Sequence, residues 1–199
     1  MLVPITNIGA VSALRVPRLR QCRGRGTCIF RCFVVYSLYI VQERATDMER
    51  IASFCINHDT LTEGMYLSRV DGDVVTYDVR FVRPNTPPYL PTDAMHTIEH
   101  LVATYVRNSA HKDGIIYFGP MGCRTGFYFL TRGISHTDAI RLMADALAFI
   151  AAYEGEIPGA TAIECGNWQD HDLAGARAWA APMAALLADW CEAQLTYPA

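Results

Sequence analysis

An α+β domain, an antiparallel or mixed β-sheet packed against helices, is the fold class this sequence predicts. Three observations carry it. Residues 74–82 (Val-Val-Thr-Tyr-Asp-Val-Arg-Phe-Val) are β-branched and aromatic, as a strand requires. Apolar residues recur at helical spacing through Met95, Ile98, Val102, Tyr105 and Val106, and again through Ile140, Met143, Leu147 and Ile150. Strands and helices also follow one another unevenly, without the β-α-β-α rhythm of a parallel sheet. At 199 residues, 51% hydrophobic and 19% charged, the chain suits one domain with a real core and has an ordinary soluble composition.

The N-terminal segment reads differently from the rest. Arg15, Arg18, Arg20, Arg23, Arg25 and Arg31 fall within the first 42 residues, which contain no acid. The remainder carries the other 11 basic residues against all 20 acidic ones, and such an acidic body has no general nucleic-acid footprint. The apolar run from Cys32 to Val41 is too short to span a bilayer. Val41-Gln42-Glu43-Arg44 lacks the small residues of a signal-peptide cleavage site. The spacing of Cys22, Cys28 and Cys32 matches no common zinc knuckle. Residues 1–47 are therefore expected to be an N-terminal extension, disordered or read from upstream of the true start, with the catalytic domain at 48–199. Seven cysteines, an odd number irregularly spaced, point to reduced thiols and a cytoplasmic setting rather than a secreted disulfide framework.

From Met48 the signals are regular. The strand at 74–82 places Asp78 and Arg80 on one face, either toward solvent or lining a pocket. Arg83-Pro84-Asn85 and Pro87-Pro88 close it, and Pro91, Thr92 and Asp93 start the first helix. Residues 115–118 and 127–131 predict two further strands around a Gly/Pro turn. Ser135 or Thr137 caps the next helix, which ends near Gly155. Ala162-Ile163 is at most a short strand. Residues 172–195 read as an alanine- and leucine-rich helix broken near Pro182.

His96-Thr97-Ile98-Glu99-His100 is the stretch richest in chemistry. Two imidazoles four residues apart on a helix point the same way and can hold one metal ion, with the Glu99 carboxylate beside them to move a proton. This puts a metal site on a helix next to the sheet; the plainer alternative is two polar neighbours on a half-buried helix. Cys165, Glu164 and His171 all compete for third ligand. Cys123, in Gly119-Pro120-Met121-Gly122-Cys123-Arg124-Thr125-Gly126, sits in a tight turn that can present its sulfur at a strand end, with Arg124 adjacent. A buried, inert cysteine is the structural alternative there. Ser53 and His58, taken alone, do not rise above surface residues.

Taken together, the motifs at 96–100, 119–126 and Glu164-Cys165-Gly166-Asn167 resemble the S-ribosylhomocysteine lyase (LuxS) family. So do Ser53-Phe54 with His58, and Tyr77-Asp78-Val79-Arg80-Phe81 followed by Pro84-Asn85, all in the family's order. The resemblance runs from residue 48 to the C-terminus. It implies a cytoplasmic homodimer that cleaves S-ribosylhomocysteine to homocysteine and 4,5-dihydroxy-2,3-pentanedione, the autoinducer-2 precursor, by carbonyl migration and β-elimination. It further implies one divalent metal per subunit, Fe(2+), replaceable by Zn(2+) or Co(2+), on His96, His100 and Cys165. Glu99 and Cys123 would be the acid/base residues. Ser53, His58 and Arg80, with Asp78 beside them, would meet the ribose end of the substrate. No nucleic acid or membrane partner is expected.

Two other readings use the same residues. H-x-x-E-H is also the inverzincin metalloprotease signature, which needs a downstream carboxylate ligand such as Glu164 and leaves Cys123 without a task. A non-catalytic domain with a structural metal would need a fourth protein ligand, such as His171.

Overall fold

A computed structural model describes residues 49–198. The extension assigned to residues 1–47, with its apolar run and three cysteines, lies outside the described residues. The regular elements are β1 (Gly64–Asp71), β2 (Val74–Arg80), α1 (Thr92–Arg107), β3 (Ile115–Pro120), β4 (Gly126–Arg132), α2 (His136–Ala152) and α3 (Leu173–Ala188). The strands form one sheet in the order β1-β2-β4-β3 with every pairing antiparallel, so the sheet is α+β as expected and not mixed.

Alternation along the strands gives the sheet two different faces. Met65, Val79 and Phe127 stand opposite one another across three strands, and with Tyr77, Phe118 and Phe129 they turn inward. There they join Met95, Ile98, Leu101 and Val102 of α1 and Met143, Leu147 and Ile150 of α2 in a single buried core. The intervening row, Tyr66, Asp78 and Tyr128, faces the other way. Gly126 lets β4 approach β2 where the site begins: a Cβ there would collide with the Val79 carbonyl.

Three elements depart from the sequence reading. β1 has no counterpart in it. Burial falls away along this edge strand, and Ser68, Arg69 and Asp71 in its outer half hide the β pattern. The Asp71-Gly72 pair that turns it into β2, with Gly72 at φ +63°, was the available signal. Residues 161–164 form a turn rather than a strand, with Ile163 exposed. The last helix also runs unbroken through Pro182. Proline there removes one backbone hydrogen bond, yet Pro182 and Ala178 lie on the exposed side. On the other side Ala176, Ala180, Met183 and Leu187 are all buried, and their packing holds the helix together.

Candidate active site

Two groups of side chains flank the β3–β4 turn. The first forms where α1 meets the loops preceding α3. His96 and His100 lie one helical turn apart, and their ligand atoms, with those of Cys165 and His171, all fall within 4.8 Å of one another. Backbone carbonyls fix both α1 imidazoles. His96 Nδ1 donates to Asp170 O (2.8 Å) and His100 Nδ1 to Pro158 O (2.8 Å). A carbonyl only accepts, so each Nδ1 carries the proton and each Nε2 keeps a free lone pair, the usual second layer behind a metal-binding histidine. Gly159 makes the second of these contacts possible: it sits at φ +73°, and a Cβ would press on the His100 ring.

Cys165 Sγ lies 3.3 Å from His96 Nε2. Tetrahedral coordination at ordinary metal–sulfur and metal–nitrogen lengths separates such a pair by about 3.5 Å. A divalent metal therefore fits this donor set. Cys165 emerges from the sequence's three candidates as the sulfur of the group, whereas Glu164 is bonded to the Thr161 hydroxyl (2.6 Å) and stands outside it. His171 stacks on His96, with ring centroids 4.0 Å apart. Its Nδ1 meets Thr97 Oγ1 at 3.2 Å, and its Nε2 is buried without a hydrogen-bond partner among the described residues. Burial, reinforced by the two neighbouring imidazoles, pushes His171 below the ordinary histidine range and favours its neutral form. Thr97 ties the segment down: its hydroxyl donates to Asp93 O and accepts from Asp172 N. Glu99 shares a cavity of about 360 Å³ with His96, Met95, Arg124 and the Pro120–Gly122 turn. Burial pushes its carboxyl up, against the pull of His96 and His100.

The second group occupies the outer face of the sheet. Asp78 and Arg80, 2% and 3% exposed, form a buried ion pair through Asp78 Oδ2 and Arg80 NH2 (2.5 Å). Their strand face is thus a pocket wall rather than a solvated surface. Arg80 NH1 donates to Thr125 Oγ1 and lies 4.0 Å from Cys123 Sγ. Cys123 itself is exposed, so the buried-cysteine alternative does not hold. Its charged neighbour is Arg80; the guanidinium of adjacent Arg124 instead lies over the Tyr89 ring. Burial pushes the Asp78 carboxyl above its usual range, with Arg80 and Tyr197 pulling it partway back. Burial also works against the Arg80 charge, but the Asp78 carboxylate outweighs it and raises the guanidinium.

A cavity of about 360 Å³ brings Ser53, His58, Asp78, Arg80 and Cys123 together. His58 is held through Nδ1 to Ile56 O (2.9 Å). The cavity also contains Tyr128 and Tyr197, which the sequence reading did not single out. Tyr128 was open to inference, since it pairs with Asp78 across the sheet. Tyr197, 119 residues from Asp78 in sequence, carried no local signal.

The geometry gathers three histidines and one thiol that could hold a metal on one side of a tight turn, and sets a second thiol beside Arg80 on the other. The chain is similar to the S-ribosylhomocysteine lyase of Clostridium acetobutylicum, at 47% identity over 157 residues, 76% of this chain and 99% of the relative. The lyase of Desulfotalea psychrophila is 45% identical over 160 residues, with the same coverage. That of Thermus thermophilus is 44% identical over 140 residues, covering 67% of this chain and 88% of the relative. The pattern of the family described as S-Ribosylhomocysteinase (LuxS) matches residues 51–194, and the chain belongs to that family.

Proposed function

We propose that the domain at 48–199 cleaves the thioether of S-ribosylhomocysteine to homocysteine and 4,5-dihydroxy-2,3-pentanedione, the precursor of autoinducer-2. The observation that carries this reading is the pairing of a His96–His100–Cys165 donor set with a second, exposed sulfur beside Arg80 across the same turn. Family membership and the lyase names of its relatives support it.

The chemistry explains why two groups are needed. The sulfur leaves from C5 of the ribose, and that carbon–sulfur bond is unactivated while the carbonyl is at C1. Two isomerisations, each taking a proton from the carbon beside the carbonyl and returning one to the former carbonyl carbon, bring the carbonyl to C3. Loss of the C4 proton then expels homocysteine as its thiolate, with no net oxidation or reduction. Glu99 and Cys123 are assigned the proton transfers, one from each side of the sugar. Ser53, His58, Asp78 and Arg80 would hold the ribose, as their shared cavity suggests. A divalent metal on His96, His100 and Cys165, in the cell Fe(2+) with Zn(2+) or Co(2+) able to replace it, supplies Lewis-acid stabilisation of oxygens that gain negative charge. The protein is assigned to the cytoplasm as a homodimer; among the described residues no helix is long and apolar enough to cross a membrane. Nothing in the site supports the peptidase alternative, whose carboxylate ligand Glu164 is engaged with Thr161.

Anaerobically prepared protein, analysed for metal and then given S-ribosylhomocysteine, is expected to release one thiol and one dicarbonyl, the latter trapped by o-phenylenediamine. Peptide cleavage without thiol release would replace this reading with the peptidase one. A monomer in sedimentation at micromolar concentration would remove the dimer.

A further inference from the structure

Residues after α3 return to the outer face of the sheet. Trp190 Nε1 donates to Met65 O (2.8 Å) and its ring meets Tyr66 edge-on. Beyond the short 3-10 turn Glu192–Leu195, Tyr197 stacks on Tyr66 with centroids 5.2 Å apart. That stack sets the Tyr197 hydroxyl 3.1 Å from Asp78 Oδ2, at the wall of the Cys123 cavity. Burial, with the facing Asp78 carboxylate, holds the phenol well above its ordinary value, so it remains a hydrogen-bond donor throughout the neutral range.

The pairing of Asp78 with Arg80 is unusual in one respect. Asp78 accepts only through Oδ2, from Arg80 NH2 and from Tyr197. Asp78 Oδ1 and Arg80 Nε are both buried with no hydrogen-bond partner among the described residues. A buried carboxylate and guanidinium prefer two parallel hydrogen bonds, and these two idle atoms are the ones that a forked pairing through Nε and NH2 would use. In the observed arrangement the guanidinium is divided instead, NH2 toward Asp78 and NH1 toward Thr125 and Cys123.

We propose that Tyr197 is a positioning residue for Cys123: its hydroxyl holds the Asp78 carboxylate in the single-contact orientation that leaves Arg80 NH1 turned to the sulfur. Without that donor, Oδ2 loses one of its two partners and the carboxylate rotates to engage Nε as well. The guanidinium follows, and NH1 withdraws from Cys123. The role in turnover rests on the function proposed above; the geometric effect on the sulfur does not.

The test uses the full-length protein with Tyr197→Phe, which keeps the ring stack and removes the donor, and Tyr197→Ala, which removes both. The first readout is the alkylation rate of Cys123 by iodoacetamide at pH 7, followed on the Cys123 peptide by mass spectrometry. Tyr197→Phe is expected to slow it about fivefold, the order of one hydrogen bond, and to lower kcat similarly with KM changed less than about twofold. Tyr197→Ala should slow alkylation at least as much. Wild-type alkylation in Tyr197→Phe with slow alkylation in Tyr197→Ala would assign the residue to ring packing alone and overturn the proposal. Lowered kcat with unchanged alkylation in Tyr197→Phe would overturn it as well. If the wild-type protein fails to cleave S-ribosylhomocysteine, the functional reading falls while the alkylation contrast still decides this one.

Discussion

The histidine–cysteine group around α1 and the Cys123 group sit on either side of one turn, yet different forces hold them. Around α1, uncharged backbone carbonyls at Asp170 and Pro158 fix the imidazoles, and each ring has its own partner. On the outer sheet face, a single guanidinium serves a carboxylate, a hydroxyl and a sulfur at once. The first arrangement is built from separate contacts, so that loss of one leaves the other ring's partner in place. The second is coupled: moving Asp78 moves Arg80, and moving Arg80 changes the surroundings of Cys123. A donor set for a cation needs fixed lone pairs, whereas a sulfur proposed to transfer protons is governed by the charge set beside it.

The sharpest way to break this comparison is to remove one member from each side. His96→Ala deletes a proposed ligand rather than a supporting contact, and supporting contacts alone are worth 10- to 100-fold in metal affinity; the loss should exceed ~100-fold. Metal content and turnover should vanish together, checked by elemental analysis and thiol release. Cys123→Ala should leave metal content at the wild-type level while turnover falls about 10²- to 10⁴-fold, the range for an acid/base residue. Metal loss in Cys123→Ala would show that the two groups are not separable as the geometry implies.

The two regions also differed in how far the sequence revealed them. His96 and His100 were legible because four residues is one helical turn, a local periodicity. Asp78 and Arg80 were placed on one strand face by alternation, but their burial was not: nothing local shows that Tyr66, Trp190 and Tyr197 cover that face. The choice among Cys165, Glu164 and His171 depended on how the loop at 158–171 folds against α1, which periodicity does not reach. β1 escaped because an edge strand with a polar outer half has little alternation to display. Pro182 reads as a break because helix propensity does not register the packing of Ala176, Ala180, Met183 and Leu187.

The smallest expected effect separates the inner sheet face from both groups. Tyr77, next to Asp78 on β2, is 0% exposed and meets His136 Nδ1 at 2.7 Å. Burial pushes its phenol from 10.0 up to about 12. Below the lower value both folded and unfolded chains keep this proton, so stability is unaffected by it. As pH rises between the two values the unfolded chain releases the proton and the folded chain retains it. Stability therefore falls with pH across that window, by at most about 2–3 kcal/mol, and levels off above it. Tyr77→Phe removes that loss but also the hydrogen bond to His136, about 1 kcal/mol at neutral pH. In urea melts the variant should be the weaker protein near neutrality and the stronger one at the alkaline end, with the two curves crossing inside the window. The crossing should survive metal chelation, because Tyr77 belongs to the sheet core. A crossing that disappears with the metal would tie the sheet to the α1 site and show the inner face to be less independent than its packing indicates.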